Sequence, residues 1–156
     1  MIVKRTIVTL VALLVLALAA TSQTPKPHKH HVVIEMSLAS QNGWFEAEGH
    51  VRVLREAFSN DVDIEVVCMG EGLPMLSRSD TDLQAALQSD ADAGVVFVAC
   101  QRSMRAKRQK TEDLFPFVKQ VPSGIAEVVM KQEAGYSYFQ ASYNEPMDSR
   151  PAPTRP

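Results

Sequence analysis

Cysteine is scarce in this chain: Cys68 and Cys100 are the only two. That is too few to staple a disulfide-scaffolded secreted domain. The two either pair with each other or stand as separate thiols. An excess of basic charge is also missing. Lys and Arg total 16 against 18 Asp and Glu, a formal net charge of −2, which excludes general nucleic-acid binding. Glycine-rich cofactor signatures are absent too. Gly70-x-Gly72 lacks the remaining glycine of a dinucleotide fingerprint, so no cofactor is expected. There is no Ser-His-Asp arrangement and no internal repeat, and the length suits one domain with one core.

A long apolar run occurs only at the start. Lys4 and Arg5 precede the stretch Ile7 to Ala20, and Ala17-Leu18-Ala19 offers small residues at the positions a signal peptidase reads. A comfortable membrane span needs about 20 apolar residues, and this run has about 14. Residues 1–19 are therefore expected to be a signal peptide and the mature chain periplasmic or secreted, with no stable membrane anchor. An uncleaved anchor is the alternative. No cysteine follows the run to carry a lipid. Losing Lys4 and Arg5 with the leader takes the formal charge from −2 to −4.

Residues 20–30, with Pro25 and Pro27, read as a flexible linker. Residues 142–156 hold Pro146, Pro151, Pro153 and Pro156 with little apolar content, the composition of a disordered tail. The folded unit is expected over 31–141.

Strand and helix patterns alternate within it. His31 to Met36 reads as a first strand. Trp44, Ala47, Val51, Leu54 and Phe58 recur at helical spacing, predicting an amphipathic helix over Gly43–Ser59 that ends at Asn60-Asp61. Val62–Cys68 is a second strand and Met69–Pro74 a glycine-bearing loop. Ser79 with Asp82 resembles a capping box ahead of Leu83, Ala86 and Leu87. Val95–Ala99 is the third and most buried strand, followed by a helical turn or two over Gln101–Lys107. Thr111–Pro116 reads as an irregular crossing and Phe117–Val121 as a short strand. Pro122-Ser123-Gly124 leads into a helix bearing Ile125, Val128 and Val129, with Gly135 as its C-terminal cap, and Tyr136–Gln140 closes the unit as a strand. Such alternation predicts an α/β three-layer sandwich, flavodoxin-like, with a mainly parallel sheet of about five strands.

Three blocks carry a resemblance to a known family: Glu65-Val-Val-Cys-Met-Gly-Glu-Gly-Leu73; Gly94-Val-Val-Phe-Val-Ala-Cys100 with Ser103-Met104; and Val121-Pro-Ser-Gly-Ile-Ala-Glu-Val-Val-Met-Lys-Gln-Glu-Ala-Gly-Tyr-Ser-Tyr138. In this order the chain resembles the DsrE/DsrF-like (YchN-like) proteins. The resemblance implies a flavodoxin-like fold assembled into homo-oligomers, trimers or hexamers. It also implies sulfur relay, with a cysteine at the position of Cys100 carrying sulfur as a persulfide between donor and acceptor proteins or small sulfur compounds. Two positions depart from the family pattern: Arg102 replaces an Asn, and Met69-Gly70-Glu71-Gly72 replaces a His-Gly-Pro-Gly type of loop.

The residues around Cys100 bear on that chemistry. Sulfur transfer needs a thiolate, and a thiol at a helix start meets unpaired N–H groups. Arg102 and Arg105, leading a basic run with Lys107, Arg108 and Lys110, are candidate thiolate stabilisers. Gly70, Gly72 and Ser103 are candidate pocket residues. The competing reading makes Cys100 a small buried hydrophobe and the domain a non-catalytic oligomeric binding module with a pocket at the strand ends. The basic run is then a solvated face or a docking surface for an acidic partner. In a 2-1-3 strand order the first strand separates Cys68 from Cys100, their Cα atoms lie about 10 Å apart, and no disulfide forms. His28, His30 and His31 offer imidazoles for Zn or Cu, although such a tract on a flexible segment is more often just polar linker, and no metal site is assigned. Glu46, Glu48 and His50 read as a solvated helix face.

Overall fold

The computed structural model describes residues 29–59, 61–79 and 81–142. The expected leader, His28 with most of the linker, the tail beyond 142, Asn60, and the Asp82 side chain of the expected capping box lie outside the described residues.

The elements run β1 (His30–Met36), α1 (Gln41–Phe58), β2 (Val62–Cys68), a 3-10 segment (Gly70–Leu76), α2 (Thr81–Asp92), β3 (Val96–Cys100), α3 (Gln101–Lys107), a short 3-10 turn (Thr111–Asp113), β4 (Lys119–Val121), α4 (Gly124–Glu133) and β5 (Ser137–Gln140). Local chemistry accounts for the boundaries. Ser40 caps α1 by accepting the Gly43 N–H at 3.3 Å, and the helix stops at Ser59, where φ turns to 52°. Gly135, at φ +90°, closes α4 in a conformation that favours glycine. The expected loop after β2 is wound into a 3-10 segment because Leu73, Met75 and Leu76 are all fully buried.

All five strands are parallel, in the order β4-β3-β2-β1-β5. This corrects the expected 2-1-3 order: β2, not β1, lies beside β3. Cys68 stands in register with Ala99, one residue from Cys100. Side chains alternate along a strand, so the two thiols face opposite sides of the sheet. Both cysteines are free, but the reason is their facing, not an intervening strand.

The two faces are unequal. One buries twenty-one residues, among them Ile34, Trp44, Val51, Cys68, Leu87, Phe97 and Met104, beneath α1, α2, α3 and the 3-10 segment. The other buries, of apolar side chains, only those of Val33, Val67, Met69, Val98, Cys100 and Val128, with α4 as its cover. Each large side chain buried in the first cluster contributes about 1.5–3 kcal/mol, so stability resides mainly there. Among the described residues, no helix is long and apolar enough to cross a membrane.

Gly72 seats the 3-10 segment on the end of β1. A Cβ there would lie 2.4 Å from the Met36 carbonyl oxygen, which cannot yield without disturbing β1. Gly72→Ala is expected to cost about 1–3 kcal/mol, read as a lower urea midpoint at unchanged m-value. An unchanged midpoint would contradict this packing.

Candidate functional site

The strand order creates one place where the winding of the chain reverses. Connections leaving β1, β2 and β3 pass over the larger core, as Met104 in α3 records, whereas the connection leaving β4 enters α4 over the opposite face, where Val128 is buried. Chains departing from the carboxyl ends of β3 and β4 therefore diverge, and ligands of open α/β sheets bind in such a crevice. Cys100 is the last residue of β3 and the residue that caps α3. Gly124, the first residue of α4, lies against it: a Cβ on Gly124 would sit 3.2 Å from the Cys100 Cβ, 3.2 Å from the Met69 Cβ and 3.3 Å from Val67. Only a glycine admits this contact without displacing its neighbours.

Two helix starts thus converge on one thiol. Burial of Cys100, which is 4% exposed, pushes its pKa up. The polar groups next to the sulfur, the Ser103 hydroxyl and the backbone N–H groups of Gly124, Ser103 and Arg102, outweigh that effect and hold the thiol below its ordinary value. The Ser103 hydroxyl is itself oriented, since Ser103 Oγ accepts the Gly70 N–H at 2.8 Å and its proton is then free to point at the sulfur. Gly70 adopts φ +53° to aim that N–H. Cys68 is the opposite case: fully buried and without such donors, its thiol is pushed far up.

The structure brings Cys100, Ser103 and Gly70 together, as candidates from the sequence. It places the others differently. Arg102 acts on the sulfur through its backbone N–H, and neither its guanidinium nor that of Arg105 is among the groups shifting Cys100. Both arginines are exposed. Arg102 lines an open recess of about 410 Å³ with Gly70, Glu71, Ser103, Ala106 and Lys107. Across this recess Lys107 Nζ donates to Glu71 Oε2 at 2.8 Å. Arg105 faces a separate cavity with Gln101, Met104 and Gln109. Gly72 packs on β1 and does not line the recess.

Of the histidines, His30 stacks on Phe58 with ring centroids 3.9 Å apart, while His31 Nδ1 lies 3.2 Å from Asp63 Oδ2. As successive strand residues they face opposite sides. Among the described residues, no group of three or more His, Cys, Asp or Glu is arranged to hold a metal ion. His50 pairs with Glu46 along α1 at 3.8 Å.

Sequence reasoning missed Gly124 as a neighbour of the thiol. Pro122-Ser123-Gly124 is legible as a helix start, and Ser123 Oγ does accept the Ala126 N–H at 3.4 Å. That this start meets the end of β3 follows only from the pairing of β3 with β4.

Ser103→Ala is expected to raise the Cys100 pKa and to slow its alkylation near neutral pH about three- to tenfold, since the thiolate fraction at a given pH falls as the pKa rises. The check is the pH profile of iodoacetamide labelling, followed by mass spectrometry. Cys68 should label only after unfolding, and a profile for Ser103→Ala matching wild type would contradict the hydroxyl's role.

Comparison with known proteins agrees with this fold. The structure is similar to MTH1491 from Methanobacterium thermoautotrophicum, a protein of unknown function, with a TM-score of 0.67 and 28% identity over 71% of this chain and 98% of that one. It shares its fold with the ychN protein from E. coli, with a TM-score of 0.61 and 14% identity over 72% of this chain and 98% of that one. No curated protein matches the sequence. The sequence model of the DsrE/DsrF-like family matches residues 12–141, and the chain belongs to that family.

Proposed function

We propose that the protein is a sulfur carrier that holds sulfane sulfur as a persulfide on Cys100. The observation that carries this reading is the set of donors around the sulfur: the Ser103 hydroxyl and the N–H groups of Gly124, Ser103 and Arg102 all favour an anion at a site that is otherwise desolvated. In the step proposed, the Cys100 thiolate attacks the outer sulfur of a donor. A Cys100 S–S bond forms, the donor's own S–S bond breaks, and its leaving group departs with the electron pair. An acceptor thiolate then attacks the outer sulfur of the persulfide, and Cys100 leaves as the thiolate it began as. No net oxidant or reductant is consumed. Donor and acceptor are proteins or small sulfur compounds that reach Cys100 by way of the Ser103 recess. The leader read in residues 1–19 would place this relay in the periplasm or outside the cell.

Exposed apolar side chains support a homo-oligomer as the working form. Ile125, Val129 and Met130 lie on the outward side of α4 at 70%, 47% and 53% exposure. Tyr138 on the edge strand β5 shares that layer, being in register with Val33. Apolar groups gathered in this way on one layer suit contact with another copy of the chain. Val129→Asp is expected to lower the assembly to a smaller species by light scattering coupled to size exclusion, and an unchanged mass would remove this support.

Sulfur carriage is tested by exposing the reduced full-length mature protein to polysulfide. Wild type should gain an adduct of about 32 Da on Cys100, reversed by a thiol reductant, and folded Cys100→Ser should gain none. An unmodified wild-type protein, under conditions that load an established carrier, would overturn carriage. Cellular activity retained by Cys100→Ser would favour the binding-module reading.

A further inference from the structure

The lightly packed face of the sheet holds a charged cluster that the proposed chemistry does not use. Glu65, on β2, is 5% exposed and lies beneath α4. Lys131, near the end of α4, reaches down to it, with Nζ 2.6 Å from Glu65 Oε2. Glu127, one turn earlier, lies 3.8 Å from the same ammonium, and the Tyr136 ring centroid is 4.9 Å from it. A buried carboxylate is tolerated only when paired, so Glu65 ties Lys131, and with it α4, to the sheet.

This tie has little apolar help. Of the α4 side chains only that of Val128 is buried, alongside the glycine at position 124, while Ile125, Val129 and Met130 face outward. The opposite end of the same helix carries Gly124, seated so closely on Cys100 that a Cβ there would lie 3.2 Å from the Cys100 Cβ. Gly124 and Lys131 are seven residues apart, a rise of about 10 Å along the helix. A rigid helix of this length held at one end has its other end placed.

We propose that Glu65 and Lys131 are positioning residues for Cys100: their ion pair sets α4 on the sheet and thereby holds the start of that helix, at Gly124, against Cys100. The pair acts through the helix. Lys131 is not among the groups that act on the thiol directly. The proposal rests on reading Cys100 as a thiolate nucleophile, but not on sulfur being what it carries.

The test is the pH profile of Cys100 alkylation by iodoacetamide in full-length Lys131→Met, Lys131→Arg and Glu65→Gln, each checked for a cooperative urea transition. Lys131→Met is expected to move the profile to higher pH and to slow labelling near neutrality at least about threefold. Lys131→Arg keeps the ion pair and is expected to retain the wild-type profile. Glu65→Gln removes the charge at nearly constant shape and is expected to shift the profile in the same direction as Lys131→Met. If Lys131→Met does not fold, Glu65→Gln decides alone. A wild-type profile in either folded charge-removing variant overturns the proposal, as does a shift in Lys131→Arg as large as in Lys131→Met. Persulfide loading is not read here, so failure of sulfur carriage and failure of positioning give different results.

Discussion

The reversal of winding between β3 and β4 is the constraint on which the rest of this molecule depends. Three successive connections lie over one face of the sheet and the fourth lies over the other, so the ends of β3 and β4 part company. Parting backbones leave polar N–H groups that no strand or helix satisfies. Here two helix starts, those of α3 and α4, meet at Cys100. The thiol is buried, and the Ser103 hydroxyl together with backbone N–H groups at these starts holds its pKa below the ordinary value.

Division of labour between the two faces follows from the same reversal. The face covered by three helices supplies most of the buried apolar surface. The face covered by α4 alone supplies little, and it spends its few contacts on the site: Val67 and Met69 lie against Gly124, and Gly124 lies against Cys100. Glu65 and Lys131 supply by charge what the thin apolar cover there does not. The main apolar core and Cys100 thus lie on opposite sides of one sheet. The strand between them carries Cys68 toward the core and, one register step away on its neighbour, Cys100 toward the site.

Much of this was legible in the residues. The β-branched runs, the 3.6-residue spacing of Trp44, Ala47 and Val51, and the placement of Gly135 identify the elements, because each depends on neighbours close in the chain. Cys100 at a strand end before a helix was equally plain. Arg102 and Arg105 stand out because charge is conspicuous in a sequence, whereas backbone N–H groups are invisible in it. Both arginines are exposed, and the backbone N–H of Arg102 is among the groups that lower the Cys100 pKa. The 2-1-3 order also failed, because strand order is set by which connection crosses which face, and no single segment encodes that.

The sequence by itself determined the class of fold, the place of Cys100 at a strand end and the helix start at Ser123-Gly124, all consequences of local propensity and side-chain periodicity. Only the tertiary structure decided that Cys68 and Cys100 face apart, that Gly70 orients Ser103, that Gly124 lies against Cys100 and that Glu65 holds Lys131. The physical reason is that each of these joins groups more than twenty residues apart, or sets the facing of neighbouring strands. Parallel pairing across the sheet fixes such relations, and nothing local in the chain does.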